Sequence, residues 1–189
     1  MSLTPTLKIG LLNAWLLTIF ALLHPLIMIL IVKDVMKKMK SPVLGRTEKL
    51  RFVIETIIFI GLFIYSIFLP LQLGTMWFYV GLALCVLGVI TWTAAMVNIR
   101  NIPVGEAWTR GLYRYSRHPM VLSSFLIFIG AGIASASWVF LLVSIVNIIL
   151  SNMSVSTEEN FCLERYGAAY REYMKRTPKW VGMPKSGEE

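Results

Sequence analysis

Four long apolar runs, over residues 9–32, 50–69, 75–97 and 119–150, constrain this chain more than any other feature. A backbone in hydrocarbon has no water to bond, so each run must close its own N–H···O=C bonds as a helix. The first three hold about 24, 20 and 23 residues, each long enough to cross an apolar layer about 30 Å thick. The fourth holds about 32 and as a single helix would reach about 48 Å. That excess predicts two shorter helices folded as a hairpin. The turn is expected within residues 130–137, where the small Gly130, Ala131, Gly132, Ala134, Ser135, Ala136 and Ser137 permit a tight bend. Trp138 then serves as an interfacial anchor.

Composition agrees. Apolar residues make up 57% of the 189, and a mean hydropathy of +0.70 excludes an ordinary soluble domain. A formal net charge of +8 would suggest nucleic acid in a soluble chain. Here its distribution points to membrane orientation and to no nucleic-acid partner. Of the 18 Lys and Arg, seven fall within residues 33–51, four within 100–117 and six within 165–185, with Lys8 apart. If the fourth run is a hairpin, all but Lys8 face one compartment. The expectation is therefore an all-α, polytopic membrane protein with five transmembrane helices including a C-terminal hairpin, followed by a cytoplasmic amphipathic helix. Its N-terminus lies outside and its C-terminus in the cytoplasm. The first run is too long for the apolar core of a signal peptide and lacks a small-x-small cleavage site, so it reads as a retained anchor. Cys85 and Cys162 make neither a disulfide framework nor a metal motif and read as packing residues.

Two polar segments need explaining. The stretch GLYRYSRHPM, residues 111–120, sets Arg114, Arg117 and His118 at the mouth of the fourth run, where charge is expensive unless something holds it. Arg110 and Arg114 serve equally well as orientation signals or as contacts to lipid phosphates. In residues 151–176, a helical period places Cys162, Tyr166, Ala169, Tyr170 and Tyr173 on one face, with Glu159 at its centre and Glu158 at its edge. Two readings of Glu159 stand side by side. Ser156-Thr157-Glu158-Glu159 has the spacing of a capping box, which needs no ligand. Alternatively the carboxylate serves a site. The tyrosines suit packing or the membrane interface as well as a pocket.

Together these segments resemble a family. Gly111-x-Tyr113-x-x-x-Arg117-His118-Pro119-Met120 is similar to the first signature of the integral membrane methyltransferases, which include isoprenylcysteine carboxyl methyltransferases and phospholipid N-methyltransferases. Glu158-Glu159-x-x-x-Leu163-x-x-Tyr166-Gly167-x-x-Tyr170-x-x-Tyr173 resembles their second, and Thr177-Pro178-Lys179-Trp180 the tail that follows. The likeness covers residues 111–180 of a single membrane domain, residues 1–189, of which 1–110 match only in being membrane helices. It implies S-adenosylmethionine as methyl donor, held at the cytoplasmic face by Tyr113, Arg117, His118, Pro119, Met120, Glu158, Glu159, Tyr166 and Tyr170. Arg117 and His118 would meet the donor's carboxylate, and Glu159, with Glu158, its ribose hydroxyls or ammonium. The implied partners are the bilayer and a small apolar or lipid-like acceptor, as in the isoprenylcysteine carboxyl methyltransferases. The transfer implied is an in-line displacement needing neither metal nor covalent nucleophile, so no catalytic side chain is singled out.

The chain departs from the pattern at Val121 and Ser123, where relatives carry tyrosine and glycine, and at Lys179, where they carry arginine. Ser154 stands where relatives carry an arginine that would grip a substrate carboxylate, so it marks the acceptor side. These departures leave a second reading open, a non-catalytic relative that binds a lipid or a partner protein. Inside the membrane, His24 beside the kinking Pro25 either bonds a neighbouring helix or lines an acceptor tunnel. Glu55 is expected to pair with Arg51 and Asn147 to stand on the acceptor side, while Asn98 and Arg100 either border the donor pocket or are ordinary interface residues.

Overall fold

The computed structural model describes residues 6–32, 42 and 44–184. Lys33, Lys37, Lys38 and Lys40 of the first basic cluster, Lys185 of the last, and the Pro25 ring lie outside what is described. Five α-helices follow in order: α1 Trp15–Ile31, α2 Arg46–Ile67, α3 Met76–Arg100, α4 Pro119–Ala134 and α5 Trp138–Arg176. A 3₁₀ turn, Gly111–Arg114, lies between α3 and α4. No strand occurs among the described residues. By length and composition α2, α3 and α5 suffice to cross a membrane, while α1 and α4 are shorter apolar helices.

Local chemistry sets the ends. The Gly45 N–H donates to Glu48 Oε2 at 2.7 Å to open α2. Thr75 Oγ1 accepts from the Phe78 N–H at 3.3 Å to open α3, and Ser137 Oγ accepts from Phe140 in the same way for α5. Pro119 occupies the first turn of α4, where its missing N–H costs nothing.

The hairpin forms, with its turn at residues 135–137 and Ala136 at φ 52°. Gly130 and Gly132 are not in that turn. They belong to α4, and Gly130 faces α3 so closely that a Cβ on it would stand 2.6 Å from the Gly81 carbonyl oxygen. Gly81 and Gly88 on α3 present the same bareness to α4. Cys85 donates its thiol to the Ile127 carbonyl at 3.3 Å across this seam. Small residues here let two backbones touch, which is how helices associate where lipid offers no hydrophobic drive.

Two expectations change. The first apolar run becomes helical only at Trp15. Before it, Asn13 Nδ2 donates to the carbonyls of Lys8 and Ile67, both at 2.6 Å, and ties an irregular segment to the α2–α3 connection. The amphipathic tail is not a separate helix after the hairpin but the continuation of its second leg. No proline or glycine interrupts residues 138–166, so the helix runs on until Gly167, whose φ 57° and ψ −127° break its course.

Candidate functional site

Beneath the site, Met28, Val32, Ala95, Met96, Ile99 and Tyr113 form a buried apolar cluster at one end of the bundle. Gly111, at φ 63°, lies against the Asn98 amide, where no Cβ would fit. The turn it permits buries Tyr113, edge-on to Trp108 at 5.8 Å. Tyr173 on α5 donates its hydroxyl to the Tyr113 carbonyl at 2.6 Å, so loop and helix are joined.

The basic segment and the acidic tail meet. Glu159 Oε1 lies 3.0 Å from both Arg117 Nε and His118 Nε2, and all three side chains are buried or nearly so. Burial alone would push the Glu159 carboxyl up. The His118 hydrogen bond and the Arg117 charge outweigh it and hold the group below the ordinary carboxylate range. An ionised carboxylate only accepts, so His118 Nε2 donates. The Arg117 Nε–H points off the oxygen, making that contact an ion pair without a hydrogen bond. Ser156 is an interior helical residue whose hydroxyl donates to the Asn152 carbonyl at 3.0 Å, so it caps nothing and the capping-box alternative falls.

Glu158 has the opposite setting. Its side chain is 53% exposed, turned to a cavity, with Oε2 3.8 Å from His118 Nδ1. Crowding by the cavity walls raises its carboxyl, His118 opposes that, and Glu159 adds to it. Water in the cavity moderates the push. Burial, with Glu158 beside it, drives the neighbouring Cys162 thiol up to about 11, leaving it a thiol and a poor nucleophile at neutral pH.

The C-terminal segment straps this arrangement. The Arg117 N–H donates to the Pro178 carbonyl at 3.1 Å and the Gly182 N–H to the Tyr115 carbonyl at 3.1 Å. Lys179 Nζ donates to Ser156 Oγ at 3.0 Å. The Trp180 ring packs 5.5 Å from Phe125. The tail thus holds the basic segment from behind.

The cavity is about 600 Å³ and lies between α2, α4 and α5. Tyr113, Arg117, His118, Met120, Glu158, Tyr166 and Tyr170 line it, as does Ser154. Pro119 and Glu159 sit buried behind the wall. His24 lies elsewhere, stacked on Trp92 at 3.7 Å, and its ring nitrogens bond no described residue. Asn98 and Arg100 are not among the lining residues, whereas Asn147 is. Trp108 and Phe161 line the wall without having been anticipated; only their aromatic character near the two motifs hinted at it. Glu55 differs from expectation. Among the described residues it makes no ion pair with Arg51, and it accepts from Ser154 Oγ at 2.5 Å and Ser151 Oγ at 3.5 Å. Its neighbours Phe52, Thr56 and Phe59 carry the cavity into the apolar layer.

Residues 76–169 match the family model described as phospholipid methyltransferase. The match runs from the start of α3 to just past Gly167 and so includes the first polar segment whole and the second as far as residue 169, short of Tyr170 and Tyr173. No curated protein matches the chain.

Proposed function

Because the chain belongs to the phospholipid methyltransferase family, a family of integral membrane methyltransferases, we propose that it moves a methyl group from S-adenosylmethionine to a lipid-like acceptor entering the cavity from the bilayer. One observation carries this reading: the basic segment and the acidic helix close on a single cavity, with Glu159 spent on Arg117 and His118 and Glu158 left open.

The residues present suit the donor. It carries an ammonium, a sulfonium, a ribose and a carboxylate. Glu158 offers an acceptor to the cationic groups or the hydroxyls, and the aromatic residues Tyr113 and Tyr170 line the same cavity. The N-terminus of α4 favours the carboxylate. About 600 Å³ falls within the roughly 300–1,000 Å³ usual for small-molecule sites. When bound, the donor supplies a methyl carbon activated by positively charged sulfur. The protein's own work is alignment and exclusion of water. Tyr166, Tyr170 and Tyr173 wall one side, Met120 and Val121 the other, and the strap fixes both against movement. Glu159 acts indirectly, by fixing His118 and Arg117 where they border the cavity.

In this reading residues 111–180 form the donor-binding unit of a single membrane domain. The side carrying the basic clusters is cytoplasmic. The purified protein should bind S-adenosylhomocysteine in the micromolar range, and Glu158→Ala or His118→Ala should abolish that binding. Undiminished affinity in both variants would overturn the site. Incubation with labelled donor and a membrane lipid extract should yield a labelled lipid; no labelled product would leave the chain a binding relative.

A further inference from the structure

We propose that His24, Met28 and Met96, where α1 meets α3, form a binding site for a soft monovalent metal ion of the copper(I) class. The site stands apart from the cavity and does not depend on methyl transfer.

His24 lies midway along the apolar α1 and is 1% exposed. Both of its ring nitrogens lack a partner among the described residues. So does the indole N–H of Trp92, on which the imidazole stacks at 3.7 Å. A neutral imidazole always carries one nitrogen with a free lone pair. A buried polar group of this kind is costly inside a membrane and marks a place for water or an ion.

The surroundings decide between the two. The Ala14 N–H donates to the Leu69 carbonyl and the Leu71 N–H to the Leu12 carbonyl, so α1 and α3 begin at one end of the bundle and run in the same direction. His24 and Trp92 make one rung between them. Four residues further along each, one helical turn, stand Met28 and Met96. Both are buried, and they share one apolar cluster. Long side chains on a helix lean toward its N-terminus, which carries the two thioethers back toward the histidine.

A buried water needs two to four hydrogen-bond partners. Beyond the imidazole and the indole, the Phe20 ring and the thioethers offer almost none. A soft cation finds what it needs, because thioether and imidazole ligands suit copper(I). Hard divalent ions require several oxygens. No group of three or more His, Cys, Asp or Glu that could hold a metal occurs among the described residues. A single charge is also cheaper to bury than a double one, since the solvation lost grows with the square of the charge. The ion would clamp α1 to α3.

The test uses the full chain in detergent with Cys85 and Cys162 replaced by serine, so that no thiol competes. The probe is silver(I), which shares the softness of copper(I) and keeps its oxidation state. Calorimetric titration should find one tight silver site per chain and bind zinc(II) at least about tenfold more weakly. Mutating residues that merely orient a metal's ligands costs about 10–100-fold in affinity, so His24→Leu should cost about 100-fold or more. Met28→Leu and Met96→Leu, which keep the side-chain volume, should each cost about tenfold or more. His118→Ala, altering the other histidine of the chain, should leave silver affinity within about twofold. Silver should also raise the thermal midpoint of the parent but not that of His24→Leu. Absence of a tight silver site, equal affinity for zinc, or a site that survives His24→Leu overturns the proposal. If His24→Leu does not fold, the methionine variants decide, and unchanged affinity in both overturns it as well. None of these measurements involves S-adenosylhomocysteine, so failure of the methyl-transfer reading would leave them unaffected.

Discussion

Glu158 and Glu159 adjoin in sequence yet face different surroundings, because one helical step of about 100° separates the cavity from the packed side of α5. Glu159 is the inward one and neutralises a buried guanidinium. Removing its charge leaves Arg117 uncompensated, a loss that for buried pairs amounts to about 3–5 kcal/mol. Glu159→Gln should therefore lower the thermal midpoint at neutral pH. It should also change the acid limb. Glu159 titrates below its ordinary value of 4.5 in the folded chain, so its stabilisation is complete above that value and disappears as pH falls through the depressed one. Thermal unfolding followed from neutral pH downwards should show the wild type losing this increment and Glu159→Gln lacking it. A variant with an equally steep acid limb would mean that the ion pair does not govern acid stability. Sequence alone left Glu159 between a cap and a site. What decided it was long-range: Arg117 and His118 stand about forty residues earlier, and no local pattern states that they reach across. Likewise Arg51 and Glu55 have the spacing of a helical ion pair, yet serines nearly a hundred residues away claim the carboxylate.

Helix α4 is held to α3 by what its side chains lack. A Cβ at residue 130 would stand 2.6 Å from one backbone oxygen and 2.7 Å from Cys85 Sγ, and neither is free to move aside. Gly130→Ala should force the helices apart and cost about 1–3 kcal/mol. Gly61→Ala in α2 meets nothing within 4 Å and should be neutral or gain up to about 1 kcal/mol from helix propensity. Thermal unfolding of both variants in one detergent makes the comparison, and equal effects would deny that the seam depends on glycine. The hairpin itself was legible, since a run of about 32 apolar residues exceeds what one crossing needs. Which small residues bend and which pack was not, because both tasks ask for the absence of a side chain. The helical continuity through residues 138–166 was hidden by the change from apolar to polar composition at residue 151, although composition shifts do not end a helix and breakers do.

At the scale of the whole molecule, two ends of the bundle differ in kind. At one end, the Gln72 N–H donates to the Ala134 carbonyl at 2.9 Å and the Leu71 N–H to the Leu12 carbonyl at 3.1 Å. The segment before α1, the α2–α3 connection and the hairpin turn are thus gathered together, with Lys8 their sole Lys or Arg. At the other end lie Arg46, Lys49 and Arg51 at the start of α2, Arg100 at the end of α3, Arg117 before α4 and the basic residues of the tail. Charge counting from sequence anticipated this division because the hairpin returns the chain to its starting side. Basic connections tend to stay on the cytoplasmic side of a bilayer, and on that ground the proposed function puts this second end in the cytoplasm. Leu73, 48% exposed, and Val181, 68% exposed, mark the two ends. In a background with Cys85 and Cys162 replaced by serine, Leu73→Cys should react with an impermeant maleimide added to intact cells. Val181→Cys should react only after the membrane is opened. Labelling of Val181→Cys in intact cells would put the cavity on the wrong side for the proposed cytoplasmic methyl donor; labelling of both positions from outside would mean that the chain does not cross the bilayer between them.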